Sequence, residues 1–135
     1  LEDEFKAASK KFFMMTDDGS YGRQGNVCVP LNEMLAAGEK FDAVITIGPL
    51  IMMKFVCAAT KPYGIKTIAS MNPIMIDGTG MCGGCRLTVG GKMDGPDFDG
   101  HEIDFDEAMS RSRTYADFES HQREETCNLF KKEVK

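Results

Sequence analysis

Residues 43–49 read Ala-Val-Ile-Thr-Ile-Gly-Pro, and this stretch decides the fold class. Its first five residues form a β-branched run without polar alternation, which is typical of a strand covered on both faces. The Gly-Pro pair then ends the strand. Because such strands occur in parallel sheets flanked by helices, the stretch predicts an α/β protein.

The segments on both sides of this strand extend the pattern. Apolar residues recur at helical spacing from Val27 to Leu35, and residues 50–60 are apolar almost all round. Short apolar runs at residues 12–16 and 66–69 supply two further strands. The order strand, helix, strand, helix, strand indicates parallel pairing through right-handed crossovers. We therefore predict three parallel neighbouring strands, which form part of a doubly wound sheet.

A Gly-rich loop follows this predicted sheet and carries Asp77, Cys82 and Cys85 in the spacing Asp-x4-Cys-x2-Cys. Plant-type ferredoxins use Cys-x4-Cys-x2-Cys, so a carboxylate here replaces the first thiolate. Glycines let backbone N–H groups turn toward the sulfide atoms of a cluster, which stabilises its negative charge. The spacing favours an iron–sulfur site. A two-thiol zinc knuckle or a loop without any ligand remains the alternative.

The composition excludes several classes of protein. The 135 residues include 21 acids and 16 bases, and the net charge of -5 argues against a nucleic-acid partner held by a basic face. No apolar run approaches the roughly 18 residues of a membrane span, so we expect no membrane partner. The odd number of cysteines, five, favours a reducing, cytoplasmic setting over a disulfide scaffold. Residues 94–107 carry seven acids and no Lys or Arg, which predicts a solvated surface or a docking edge.

Six motifs stand out along the chain: TDDGSYG (16–22), GP (48–49) with MMK (52–54), KPYG (61–64), NPIM (72–75), DGTGMCGGC (77–85) and DGPDFDGH (94–101). Together they resemble the small flavin-containing subunits of NADH-dependent reduced ferredoxin:NADP oxidoreductases. These subunits are similar to the electron-transfer subunits of dihydroorotate dehydrogenase B. The resemblance runs from residue 1 to about residue 115.

The resemblance implies a nucleotide-binding half-domain of the ferredoxin reductase type, followed by a 2Fe-2S cluster that one Asp and three Cys hold. Asp77, Cys82 and Cys85 match three of these ligands. The last cysteine of the pattern belongs just before residue 94, where this chain has no cysteine and is about half a dozen residues shorter. The resemblance also places a flavin-binding barrel before the half-domain, so we expect FAD in the full-length protein only.

The same resemblance implies that a pyridine nucleotide, NAD(P), lies at two strand ends. The implied contacts are Thr16, Asp17, Asp18, Gly19 and Ser20 after the first strand, and Gly48 and Pro49 after the second. Asp17 or Asp18 could accept hydrogen bonds from ribose hydroxyls, and an Asx-type turn with its carboxylates in solvent is the open alternative. No catalytic side chain is required, because hydride passes directly to the flavin.

These inferences divide the chain into three parts. Residues 1–73 form a truncated nucleotide-binding half-domain, residues 74–103 a Gly/Cys-rich iron–sulfur loop region, and residues 104–135 a C-terminal helical tail. The predicted function is electron transfer between NAD(P)H, flavin and the cluster, together with a larger flavin/iron–sulfur subunit. The alternative is a non-catalytic or zinc-binding module with a degenerate cluster site. We expect the chain alone to be inactive and to expose an open sheet edge or an apolar patch.

Overall fold

The computed structural model describes residues 1–71, 78–79, 81–94 and 97–113, and positions 116, 118, 120 and 121. Four helices lie within these residues: α1 (Glu2–Ala8), α2 (Cys28–Ala36), α3 (Leu50–Thr60) and α4 (Phe105–Ser112). The strands, in chain order, are β1 (Met15–Thr16), β2 (Arg23–Gln24), β3 (Ala43–Ile47), β4 (Lys66–Ser70), β5 (Leu87–Val89), β6 (Lys92–Asp94) and β7 (Asp97–Asp99).

The central sheet has three described strands in the order β3-β4-β7. β3 and β4 are parallel, with Ala43 opposite Lys66 and Ile47 opposite Ser70, and α3 connects them. This pairing confirms the predicted strand–helix–strand unit. β7 joins the other side of β4 in antiparallel register, with Phe98 opposite Ala69. The sequence did not predict this third strand.

The first predicted strand does not join this sheet, so the prediction of three parallel neighbours is wrong. Within residues 12–16 only Met15–Thr16 is a strand, and it pairs in parallel with Arg23–Gln24 in a separate two-stranded sheet. The turn between them brings the chain back onto itself, and the Arg23 N–H donates to the Met14 carbonyl at 2.9 Å. Local pairing across a short turn has therefore replaced pairing with the distant β3.

The expectation that β3 is covered on both faces is also wrong. Thr46 is buried, whereas Ile45 and Ile47 are 67% and 72% exposed. The β-branched run gave no sign of this asymmetry, because all its residues suit a strand whether or not a second layer covers them. β3 is the edge of the described sheet, so the expected apolar patch is present.

The hydrophobic core lies between α3, strands β4 and β7, the β5–β6 hairpin and α4. Its buried members are Met53, Cys57, Ala69, Met71, Leu87, Phe98, Ile103, Phe105 and Ala108. Asp104 begins α4 as predicted, because its carboxylate accepts the N–H groups of Asp106 and Glu107. Among the helices described, none has the length and apolar character needed to cross a membrane.

Candidate functional site

The loop that carries the two cysteines turns its backbone toward sulfur. Cys82 is exposed and Cys85 is half-buried, and both are free thiols. The Gly84 N–H donates to the Cys82 Sγ at 3.4 Å, and the Arg86 N–H closes a turn on the Gly83 carbonyl at 3.1 Å. Gly83 has φ +66°, a left-handed conformation that favours glycine. One amide of the loop thus faces the Cys82 thiol, whereas the predicted role of the glycines, to turn N–H groups toward the sulfide atoms of a cluster, stays a prediction.

Asp77 lies outside the described residues, so its approach to the cysteines stays a prediction. Within the part of the chain that the structure describes, no group of three or more His, Cys, Asp or Glu side chains could hold a metal. The described donor set consists of the two thiols. Soft thiolates on an amide-rich turn suit iron, and the loop therefore fits two of the four ligands of an iron–sulfur cluster.

A β-hairpin and the first turn of α4 fix the far end of this loop. Leu87 starts β5 with a buried side chain, and Gly90 and Gly91 turn the chain into β6. The Asp104 N–H donates to the Thr88 carbonyl at 3.1 Å, which holds the start of α4 against β5. The cysteine loop is consequently attached to the hydrophobic core at its C-terminal end.

Arg111 on α4 contacts the cysteine loop directly. Its Nη2 donates to the Gly84 carbonyl at 3.0 Å, and its Nη1 donates to the Arg86 carbonyl. The sequence analysis treated α4 as a polar tail and missed this residue. No spacing rule links position 111 to the cysteines, because the contact depends on how α4 packs against β5.

A buried hydrogen-bond network connects α3, β4 and the turn that follows β7. The Thr60 Oγ1 is 2.6 Å from the Thr67 Oγ1 and 3.0 Å from the His101 Nε2. Thr60 and Thr67 are completely buried, so each hydroxyl needs a protein partner. The network ties α3 and β4 to His101, two residues after the end of β7. His101 thus has a structural role.

The loop after β1 is closed by its own side chains. The Asp18 Oδ1 accepts the Ser20 N–H at 3.0 Å and the Ser20 hydroxyl at 2.7 Å. The amide hydrogen bond, followed by the hydroxyl one, lowers the pKa of Asp18 below its ordinary value of 3.8. The Thr16 hydroxyl donates to the Tyr21 carbonyl at 2.7 Å. Asp18 therefore adopts the Asx-type turn that the sequence left open as the alternative to nucleotide binding.

The second predicted strand end leads directly into α3. Gly48 has φ +151°, and a Cβ there would lie 2.7 Å from the Met52 Cε. The Pro49 carbonyl accepts the Met53 N–H at 3.1 Å as the helix begins. Glycine is favoured at position 48 because of this backbone angle, since the Met52 Cε is the end of a flexible side chain that can move away.

An apolar groove of about 270 Å³ lies beside β3. It is lined by Val27, Leu31, Val44, Ile45, Thr46, Ile47, Met52 and Val56. Residues 16–20 do not contribute to this lining. The two strand ends that the resemblance assigns to a nucleotide, at residues 16–20 and 48–49, follow β1 and β3, which belong to different described sheets. Their assignment to a nucleotide stays a prediction.

Comparison with known proteins places the cysteine loop in a defined class. Residues 72–104 match the family model of the iron–sulfur cluster binding domain of dihydroorotate dehydrogenase B. This range includes Cys82 and Cys85, the β5–β6 hairpin, β7 and the residue that begins α4. The match covers the segment for which the cysteine spacing favours an iron–sulfur site.

Longer matches extend the similarity over most of the chain. A protein of Clostridium beijerinckii, described only as an uncharacterized protein in the adh 3′ region, is 48% identical over 84% of this chain and 40% of its own length. A Thermotoga maritima homologue of the dihydroorotate dehydrogenase B (NAD(+)) electron transfer subunit is 43% identical over 88% of this chain and 43% of its own length.

A solved structure is also similar to this protein over most of the chain. One chain of an NADH-dependent reduced ferredoxin-NADP oxidoreductase, determined to study flavin-based electron bifurcation, is 41% identical and superposes with a TM-score of 0.76. The match covers 93% of this chain and 46% of that one. The chain thus spans less than half the length of the proteins it matches. These comparisons confirm the resemblance identified from the sequence motifs.

Proposed function

We propose that this chain is the electron-transfer part of an NAD(P)H-dependent flavin/iron–sulfur oxidoreductase. It would act as one portion of a subunit that works with a larger flavin/iron–sulfur subunit. The observation that carries the proposal is the Cys82–Cys85 turn, in which the Gly84 amide donates to a thiol. The similarity of residues 72–104 to an iron–sulfur cluster binding domain supports it.

Asp77, Cys82 and Cys85 would hold a 2Fe-2S cluster, which supplies one-electron chemistry when bound. The chain's own contribution is electrostatic and geometric. The Gly84 N–H donates to the Cys82 sulfur, and the turn at residues 83–86 sets the direction of Cys85. Because Cys85 is half-buried, part of its surface is shielded from water, whereas Cys82 is exposed.

We propose that the loops at residues 16–20 and 48–49 contact a pyridine nucleotide. Thr16 and Asp18 already bond within the first loop, which leaves Asp17 as the carboxylate for the ribose hydroxyls. Gly19, Ser20, Gly48 and Pro49 would shape the backbone around the nucleotide. FAD would bind only in the full-length protein. Residues 1–73, 74–103 and 104–135 would then serve as the nucleotide, cluster and tail portions of the chain.

The cluster assignment is tested by anaerobic reconstitution with iron and sulfide. We expect a brown protein that contains iron and acid-labile sulfide in equal amounts and gives an electron paramagnetic resonance signal after reduction. A colourless protein that binds one zinc per chain, and no iron after reconstitution, would contradict the proposal and favour the zinc-binding alternative.

The nucleotide assignment needs a separate test in the full-length polypeptide. In a fluorescence titration with NADH we expect Asp17→Asn to raise the Kd roughly tenfold, as loss of a charge-assisted hydrogen bond predicts. Asp42→Asn is the matched control, because Asp42 is an exposed carboxylate that precedes β3. Equal Kd values for wild type and Asp17→Asn would contradict the assignment.

A further inference from the structure

The Cys85 segment is held from one side by a single guanidinium. Arg111 donates to the carbonyls of Gly84 and Arg86, the residues immediately before and after Cys85. A planar guanidinium can donate two hydrogen bonds in a fixed geometry, which a lysine ammonium does not reproduce. The two carbonyls are therefore fixed relative to each other as well as to α4.

This contact restricts the orientation of the peptide group that leads into Cys85. Because a trans peptide is planar, its carbonyl and its N–H point in opposite directions. The bond from Arg111 to the Gly84 carbonyl consequently directs the Cys85 N–H away from α4. The turn bond from the Arg86 N–H to the Gly83 carbonyl acts on the neighbouring peptide groups.

The helix that supplies Arg111 is itself firmly placed. Phe105 and Ala108 are buried in the core, and Asp104 caps the first turn. Glu107, one turn before Arg111, brings its Oε1 to 3.9 Å from the Arg111 Nη1. The other oxygen of Glu107, Oε2, is buried without a hydrogen-bond partner among the described atoms. A carboxylate beside the guanidinium favours the position in which Arg111 reaches the loop.

We propose that Arg111 is a positioning residue for Cys85. Through the two carbonyls it holds the Cys85 thiol in the orientation used for ligation, and it adds a fixed positive charge on the backbone at both sides of Cys85. The orientation is a property of the chain without metal, whereas its use for a cluster rests on the proposed function. A nearby positive charge stabilises the more negative, reduced form of a cluster and so raises its reduction potential.

The first test uses the metal-free chain and compares Arg111→Gln with Arg113→Gln. Arg113 follows α4 and is exposed, and none of the described hydrogen bonds or ion pairs involves its side chain. Alkylation rates at each cysteine are resolved by peptide mass spectrometry. We expect Arg111→Gln to change the Cys85 rate roughly tenfold, as loss of two hydrogen bonds predicts, and Arg113→Gln to leave it unchanged.

Cys57 separates local positioning from general loss of stability, because it is buried in the core. An equal rise in the Cys57 and Cys85 rates would overturn the proposal, and so would an unchanged Cys85 rate. Should Arg111→Gln fail to fold, Arg111→Lys takes its place. It keeps the charge but cannot hold both carbonyls, so the Cys85 rate is still expected to change.

The second test uses the reconstituted chain. We expect the reduction potential of the cluster to fall in Arg111→Gln and to remain near the wild-type value in Arg111→Lys. The same potential in wild type and Arg111→Gln would overturn the electrostatic part of the proposal. If the wild type takes up no cluster, the proposed function fails, while the alkylation comparison still decides whether Arg111 positions Cys85.

Discussion

The cysteine loop and the predicted nucleotide loop at residues 16–20 differ in how much the hydrophobic core supports them. All members of the hydrophobic core come from residues 53–108, whereas residues 1–49 bury Pro30, Leu35 and Thr46 outside that cluster. The cysteine loop continues directly into this core through Leu87. The first predicted nucleotide loop, at residues 16–20, belongs to a two-stranded sheet that contributes no member to it, whereas residues 48–49 lead into α3. The chain therefore attaches the cysteine loop to its main core, and the loop at residues 16–20 has far less support.

The largest expected effect that separates the two regions comes from truncation within the core. Met53 is completely buried, so Met53→Ala should lower the free energy of unfolding by about 2–5 kcal/mol. Met81→Ala is the control, because Met81 is 89% exposed, and it should cost less than about 0.5 kcal/mol. Urea denaturation followed by circular dichroism measures both changes. Equal costs would show that residues 53–108 do not form the main core.

A smaller effect should follow from removal of one hydroxyl in the buried network. Thr60→Val removes a buried hydroxyl that Thr67 and His101 contact, and we expect a cost of about 1–3 kcal/mol, because the His101 nitrogen loses this partner while Thr67 keeps the Ile65 carbonyl. In the first region, Thr16→Val removes the bonds to the Tyr21 carbonyl and from the Tyr21 N–H, both near the surface, and we expect a cost below about 1 kcal/mol. The same denaturation experiment compares them, and a larger cost at Thr16 would reverse the order of the two regions.

A further effect concerns pH. Burial, followed by the nearby Asp99 carboxylate, raises the pKa of Cys57 from its ordinary value of 9.0 to about 11. The folded chain therefore holds this proton more tightly than the unfolded chain. Its contribution to stability is complete below pH 9 and is lost as the pH rises to about 11. Unfolding free energies measured across this range should fall less steeply in Cys57→Ala, and identical slopes would contradict the raised pKa.

The sequence predicted the elements whose apolar pattern is local and strong. The β-branched run of β3 and the apolar stretch of α3 have the expected bounds. These predictions succeed because a short run of residues contains the whole signal.

Other features depend on contacts between distant parts of the chain. β7 has one apolar residue, Phe98, between two aspartates, and it becomes a strand because β4 offers an edge for pairing. The apolar residues of β1 do not show which strand it pairs with. It pairs with β2, which lies much closer in the sequence than β3. Arg111 reaches the cysteine loop only because α4 packs beside β5. Each of these outcomes is decided by tertiary packing rather than by local pattern.

The most direct test of the claim that the cysteine loop binds a cluster is the iron and sulfide content of three cysteine variants after anaerobic reconstitution. Cys85→Ser removes a proposed ligand, and we expect it to abolish cluster incorporation. Cys28→Ser alters a half-buried thiol on α2, and Cys127→Ser alters a cysteine far beyond the loop in sequence. Both should retain the iron and sulfide of the wild type. Full iron content in Cys85→Ser, or its loss in Cys127→Ser, would show that the cluster ligands lie elsewhere.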